Sequence, residues 1–87
     1  SHSPNSIGIN LSLAKLNITE KNYKAAAINL FTFQRSSPAT AESLWQWVRL
    51  SYASGKKASL ARYSAQLLDK FPTSQQALSY LNNEHHD

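Results

Sequence analysis

Shifting the chain against itself by 34 residues lays Pro38 on Pro72 and keeps two pairs of apolar segments in phase. Leu11 then meets Trp45, Leu13 meets Trp47, Ala14 meets Val48 and Leu16 meets Leu50. Farther along, Ile18 meets Tyr52, Ala27 meets Ala61 and Phe33 meets Leu67. Each unit of such a repeat is a supersecondary piece that cannot bury its apolar face alone, so the units must stack. The expected divisions are a lead at residues 1–6, units at 7–40 and 41–74, and a capping helix with a frayed tail at 75–87.

Within a unit the spacing is helical. From Ile7 to Ile18, one apolar stripe holds Ile7, Leu11 and Ile18 and another holds Ile9, Leu13 and Leu16, so this first helix must meet neighbours on two sides. Asn5 or Ser6 offers its N-cap. After a polar break at Thr19-Glu20-Lys21-Asn22, a second helix runs from Tyr23 to Arg35, strengthened by Ala25, Ala26 and Ala27. Ser36-Ser37-Pro38 ends it, because a residue before proline is pushed out of the α region.

Thr40 caps a third helix. Its Leu44, Trp45, Trp47, Val48, Leu50 and Tyr52 cover most of the circumference. Gly55 supplies a left-handed stop. The fourth helix, Lys57 to Phe71, is amphipathic through Leu60, Ser64, Leu67, Leu68 and Phe71. Thr73 and Gln76 have capping-box spacing before a short fifth helix with one stripe of Ala77, Leu78 and Leu81. No segment alternates with period two long enough to make a strand. The fold class is all-α: a solenoid of two helix-turn-helix repeats and a C-terminal capping helix. Leu13, Ala14, Ala26, Ala27, Leu30, Leu44, Val48, Leu60, Leu67 and Leu68 are the expected core.

Composition narrows the function. The 87 residues include no Cys, which excludes thiol catalysis and cysteine-ligated zinc. The hydrophobic fraction of 41% is too high for a disordered tail. No apolar run approaches the roughly 18 residues of a membrane helix. Ser1-His2-Ser3 reads as the remnant of a cloning tag, and the chain as an excised domain.

The period of 34 in paired helices resembles the tetratricopeptide repeat. In the first unit, Leu13 and Ala14 stand at that repeat's Leu-Gly/Ala pair, Tyr23 at its second-helix aromatic, Ala26 at its small residue and Pro38 at its end. The second unit departs: Trp47-Val48 replaces the first pair and Leu60 the small residue, while Gly55 and Pro72 stay in register. The alternative is a helical bundle in which the spacing is accidental.

The second unit resembles a narrower family. Ser43-Leu44-Trp45, Arg49, Gly55, Ala61-Arg62-Tyr63-Ser64-Ala65-Gln66-Leu67 and Phe71-Pro72-Thr73-Ser74-Gln75-Gln76-Ala77 are similar to the C-terminal part of type IV pilus pilotins. These are repeat lipoproteins needed for pilus biogenesis and stability. The likeness covers residues 41–78 best, and its Phe-Pro-x-Ser wording also occurs in outer-membrane assembly lipoproteins. It implies a periplasmic protein at the inner leaflet of the outer membrane, whose partner is the outer-membrane secretin or another pilus-assembly protein. The family's lipidated N-terminal Cys is absent here, so membrane contact is expected only through an anchor this chain does not carry.

Catalysis finds little support. Glu20, Glu42, Asp69, Glu84 and Asp87 show no spacing that pairs two carboxylates over a pocket. No internal His accompanies the serines, since His2, His85 and His86 are terminal. Glu84-His85-His86-Asp87 could take a stray divalent metal, but the expected state is a solvated tail. No enzyme activity, cofactor or metal is expected. The net charge of +4, spread over Lys15, Lys21, Lys24, Arg49, Lys56, Lys57 and Arg62, fits a solvated surface. A small basic nucleic-acid binder is a weak alternative that salt-dependent DNA binding would favour; no nucleic-acid partner is expected.

In arrays of the resembled kind, the first helix of each unit lines a concave groove. Those positions here are Leu11, Lys15 and Ile18, then Glu42, Trp45, Arg49 and Tyr52. An aromatic-cation-aromatic series on one face can grip a peptide by apolar burial and hydrogen bonding. The opposing reading is that Trp45 and Tyr52 only pack on the neighbouring unit. The sequence therefore points to a protein-interaction module: a pilotin-like piece or a peptide-binding adaptor of another system. The apolar first helix further implies self-association.

Overall fold

A computed structural model describes residues 6–86. The side chains of Ser6 and Ile7 lie outside the described residues, as do the lead, the Asn5 cap and Asp87. The chain forms α1 (Ser6–Thr19), α2 (Tyr23–Ser36), α3 (Ala41–Ala53), α4 (Lys57–Lys70) and α5 (Gln75–Leu81), then a short 3-10 turn at Glu84–His86. Helix makes up 80% of the described residues, with no strand among them. The fold is the expected all-α repeat arrangement.

The repeat is visible in the backbone itself. At the end of α1, the N–H groups of Glu20, Lys21 and Asn22 donate to the carbonyls of Leu16, Ile18 and Asn17. At the end of α3, 34 residues on, Ser54, Gly55 and Lys56 donate to Leu50, Tyr52 and Ser51. Lys21 and Gly55 both take left-handed backbone, with φ of 66° and 74°. The outermost bond of each set, six residues back to one, satisfies a carbonyl that the helix end would otherwise leave open.

Helix starts repeat in the same register. Thr40 Oγ1 accepts from the Ser43 N–H, and Ser43 Oγ accepts from the Thr40 N–H, a reciprocal cap. Ser74 Oγ likewise accepts from the Ala77 N–H. The cap of α5 is therefore Ser74, not Thr73, because the repeat places position 74 where position 40 stands.

Packing follows the same shift. α1 packs on α2 and both touch α3; α3 packs on α4 and both touch α5. Ala14, Ile18, Ala26, Leu30, Trp47 and Leu50 form one core cluster, and Leu44, Val48, Leu67 and Ala77 the other. Fully buried Ala14 and Ala26 remove bulk at the α1/α2 crossing. Asn17 Nδ2 donates to Asn29 Oδ1 at 2.7 Å across the same pair.

Four expectations need correction. Leu13 is 42% exposed rather than core. Its repeat partner Trp47 is buried because α3 has a hairpin before it, whereas no such hairpin precedes α1 among the described residues. Ala27, Leu60 and Leu68 are only half-buried, at the edges of the clusters. On α5, Ala77 is buried but Leu78 and Leu81 are exposed. Finally, the stretch from Asn82 is no frayed tail: Asn83, at φ 61°, turns the chain back and His85 is buried at 7% exposure.

Candidate functional site

α3 packs against every other helix and against the C-terminal turn. Glu42, Gln46 and Arg49 rise along it at helical spacing. Gln46 is 1% exposed. Its Nε2 donates to Glu42 Oε2 at 2.6 Å, and its Oε1 accepts from Arg49 at 2.8 Å. Gln76 Nε2 on α5 donates to the other oxygen, Glu42 Oε1, at 3.1 Å. One polar chain thus runs from α5 to Arg49 and fixes the direction of its guanidinium.

A cleft of about 250 Å³ opens beside it, lined by Ile18, Lys21, Tyr23, Arg49, Tyr52 and His86 among others. Of the expected groove residues, the structure brings Ile18, Arg49 and Tyr52 together here. Leu11 is half-buried against the first core cluster, and Lys15 is exposed on α1 away from this lining. Trp45 is half-buried against the second cluster. Lys21 and Arg49 bring positive charge to the cleft, and no carboxylate of the described residues lines it.

The C-terminal turn covers the aromatic part of this face. The His85 ring stacks on Tyr80 at 4.8 Å and stands edge-on to Tyr52 at 5.3 Å and to Trp45 at 6.2 Å. His86 lies flat on Tyr52 at 4.3 Å. Burial, with the charge of His86 adding to it, holds the His85 imidazole below its ordinary pKa. Sequence reasoning missed Gln46, Tyr80 and His85. The i, i+4 spacing of Glu42 and Gln46 was a usable signal for the first; nothing local announces that the chain doubles back at Asn83.

A second cleft, about 420 Å³, lies between α2 and α4. Trp47 forms its floor, stacked on Tyr63 at 4.8 Å with Phe31 edge-on at 5.0 Å. Lys24, Lys56 and Arg62 also line it. Trp47 Nε1 donates to Gln34 Oε1 at 3.2 Å, which satisfies the indole.

No cluster of three or more metal-ligating side chains occurs among the described residues, and none of their helices is long and apolar enough to cross a membrane. Comparison with protein-family models, curated proteins and solved structures finds no match to this chain.

Proposed function

We propose that this chain is a non-enzymatic protein-interaction module that receives a peptide segment along α3. The observation that carries the reading is the Gln76–Glu42–Gln46–Arg49 chain of hydrogen bonds beside an open cleft. It presents a pre-aimed cation next to Tyr52. A guanidinium already held in place loses little rotamer freedom on donating to a partner's carboxylate or carbonyl.

The likeness of residues 41–78 to tetratricopeptide pilotins supports a finer reading. On it, the module is the C-terminal part of a periplasmic lipoprotein that assists the outer-membrane secretin in type IV pilus biogenesis. The experiment is a titration of the full-length parent with secretin, comparing Trp45→Ala, Arg49→Ala and Lys57→Ala variants of confirmed fold. A true anchor costs about 2 kcal/mol or more on truncation, and Lys57, outside the cleft, costs little. Equal binding by all three variants removes this groove as the recognition surface.

A further inference from the structure

Trp45 and Tyr52 lie two helical turns apart on α3, and Tyr80 reaches the same spot from α5. Between them sits a ring from the chain's own C-terminal turn. Had α5 continued as α3 does, position 85 would be the helical counterpart of Ser51. Instead α5 stops at Leu81, Asn83 takes left-handed backbone, and the 3-10 turn lays His85 into the three aromatic side chains.

We propose that Trp45, Tyr52 and Tyr80 form a ring-binding cage that takes a neutral aromatic side chain, Phe or Tyr, from a partner peptide, and that residues 83–86 are its resident internal ligand. The proposal deepens the reading of α3 as a peptide surface and rests on it.

The occupant itself shows what the cage accepts. Its walls are ring faces and edges, which attract another ring in stacked or edge-on geometry. The charges nearby disfavour a cationic ring: Lys21 and Arg49 line the adjoining cleft with His86. Glu42 on α3 is engaged by Gln46 and Gln76, and Glu84 on the turn itself is exposed. Burial, and after it the charge of His86, lowers the His85 pKa and so favours the neutral ring.

His85 is also an imperfect fit. Its Nδ1 is buried with no hydrogen-bond partner among the described residues, and burying a polar atom without one is unfavourable. A Phe side chain offers the same plane without that nitrogen, and Tyr differs only by a hydroxyl on the ring edge. A partner ring is therefore a better occupant than the residue it displaces.

The test uses the full chain and its His85→Ala variant, titrated with synthetic hexapeptides of residues 82–87 carrying Phe or Ala at the position of His85. Nuclear magnetic resonance follows the Trp45 indole N–H and the Tyr52 and Tyr80 ring signals. The variant should bind the Phe peptide at least tenfold more tightly than the Ala peptide. The unsubstituted chain should bind the Phe peptide at least fivefold more weakly than the variant does, and that gap should narrow as pH falls below the ordinary imidazole value, because protonation disfavours the docked ring. Equal binding of both peptides, equal binding by both chains, or no binding to a folded variant overturns the proposal. Should His85→Ala not fold, His85→Phe decides: the proposal requires a raised melting temperature, and a lowered one defeats it. Loss of secretin binding in the Arg49→Ala series leaves these outcomes unaffected, so the cage and the pilus reading fail separately.

Discussion

Gln76 donates a hydrogen bond to Glu42 at 3.1 Å, and the two residues stand 34 apart, at the same position of successive first helices. Such a bond reports the stacking register directly: α5 could not slide along α3 by a turn and keep it. Glu42 uses its second oxygen for Gln46, so the carboxylate is committed on both sides. A double-mutant cycle on Glu42→Ala and Gln76→Ala, read by chemical denaturation, should give a coupling of about 0.5–1.5 kcal/mol. A coupling near zero would show that α5 is held by its apolar contacts alone.

The paired left-handed turns make an opposite pair of predictions. Lys21 takes φ 66° with a side chain, where its repeat counterpart Gly55 takes φ 74° without one. A Cβ in this region costs about 1 kcal/mol or more. Lys21→Gly should therefore stabilise the protein by about 1 kcal/mol, and Gly55→Ala should destabilise it similarly. No atom lies near a Cβ placed at Gly55, so the second effect belongs to the backbone and not to a clash. Thermal unfolding of both variants checks the signs.

Truncations separate core from surface. Leu30 and Leu67 are fully buried, one in each core cluster. Leu30→Ala and Leu67→Ala should each cost about 2–5 kcal/mol. Leu13→Ala, on the exposed stripe of α1, should cost less than about 1 kcal/mol. Urea titrations of the three variants measure the contrast.

The fold was legible because helix spacing, caps and the period of 34 agree with one another. Gly55 and Pro72 mark helix ends without reference to any neighbour, and so they were read correctly. Leu13 was not, since periodicity shows that a face is apolar but not what covers it. The groove was legible in part. Arg49 and Tyr52 follow from position in the unit, yet the hydrogen bonds that aim Arg49 pass through Gln46, whose burial depends on tertiary packing. The burial of His85 depends on a reversal at Asn83, a residue whose type permits left-handed backbone without requiring it.

Acid should loosen the C-terminal turn before the rest. Burial lowers the pKa of His85, so the docked turn favours neutral imidazole. Docking is then fully supported above the ordinary imidazole value of about 6.5 and weakens as pH falls below it, because protonation favours the undocked state. A histidine titration by magnetic resonance should place the His85 midpoint below that value. Corrected for the intrinsic rate at each pH, hydrogen-exchange protection at residues 83–86 should fall between pH 7 and pH 5 more than protection in α3. A His85 midpoint at or above the ordinary value would contradict this packing.

The exposed stripe of α1 has an assigned counterpart inside the molecule. Leu13 and Leu16, exposed at 42% and 53%, occupy the positions of Trp47 and Leu50, which α3 buries against the hairpin before it. Ile9, at 52%, continues the stripe. The stripe is therefore shaped to receive a helix hairpin, and a second copy can supply an apolar face. Covering the remaining exposed area of three such side chains is worth about 1 kcal/mol each. About 3 kcal/mol falls short of the roughly 8 kcal/mol of a micromolar complex and near the 4 kcal/mol of a millimolar one. Self-association should thus be weak: sedimentation should show a monomer at tens of micromolar and a growing dimer fraction only toward millimolar concentration. Leu13→Lys combined with Leu16→Lys should abolish that growth while shifting unfolding stability by less than about 1 kcal/mol. A tight micromolar dimer that survives both substitutions would place the contact elsewhere, with the exposed Leu78 and Leu81 on α5 the next surface to change.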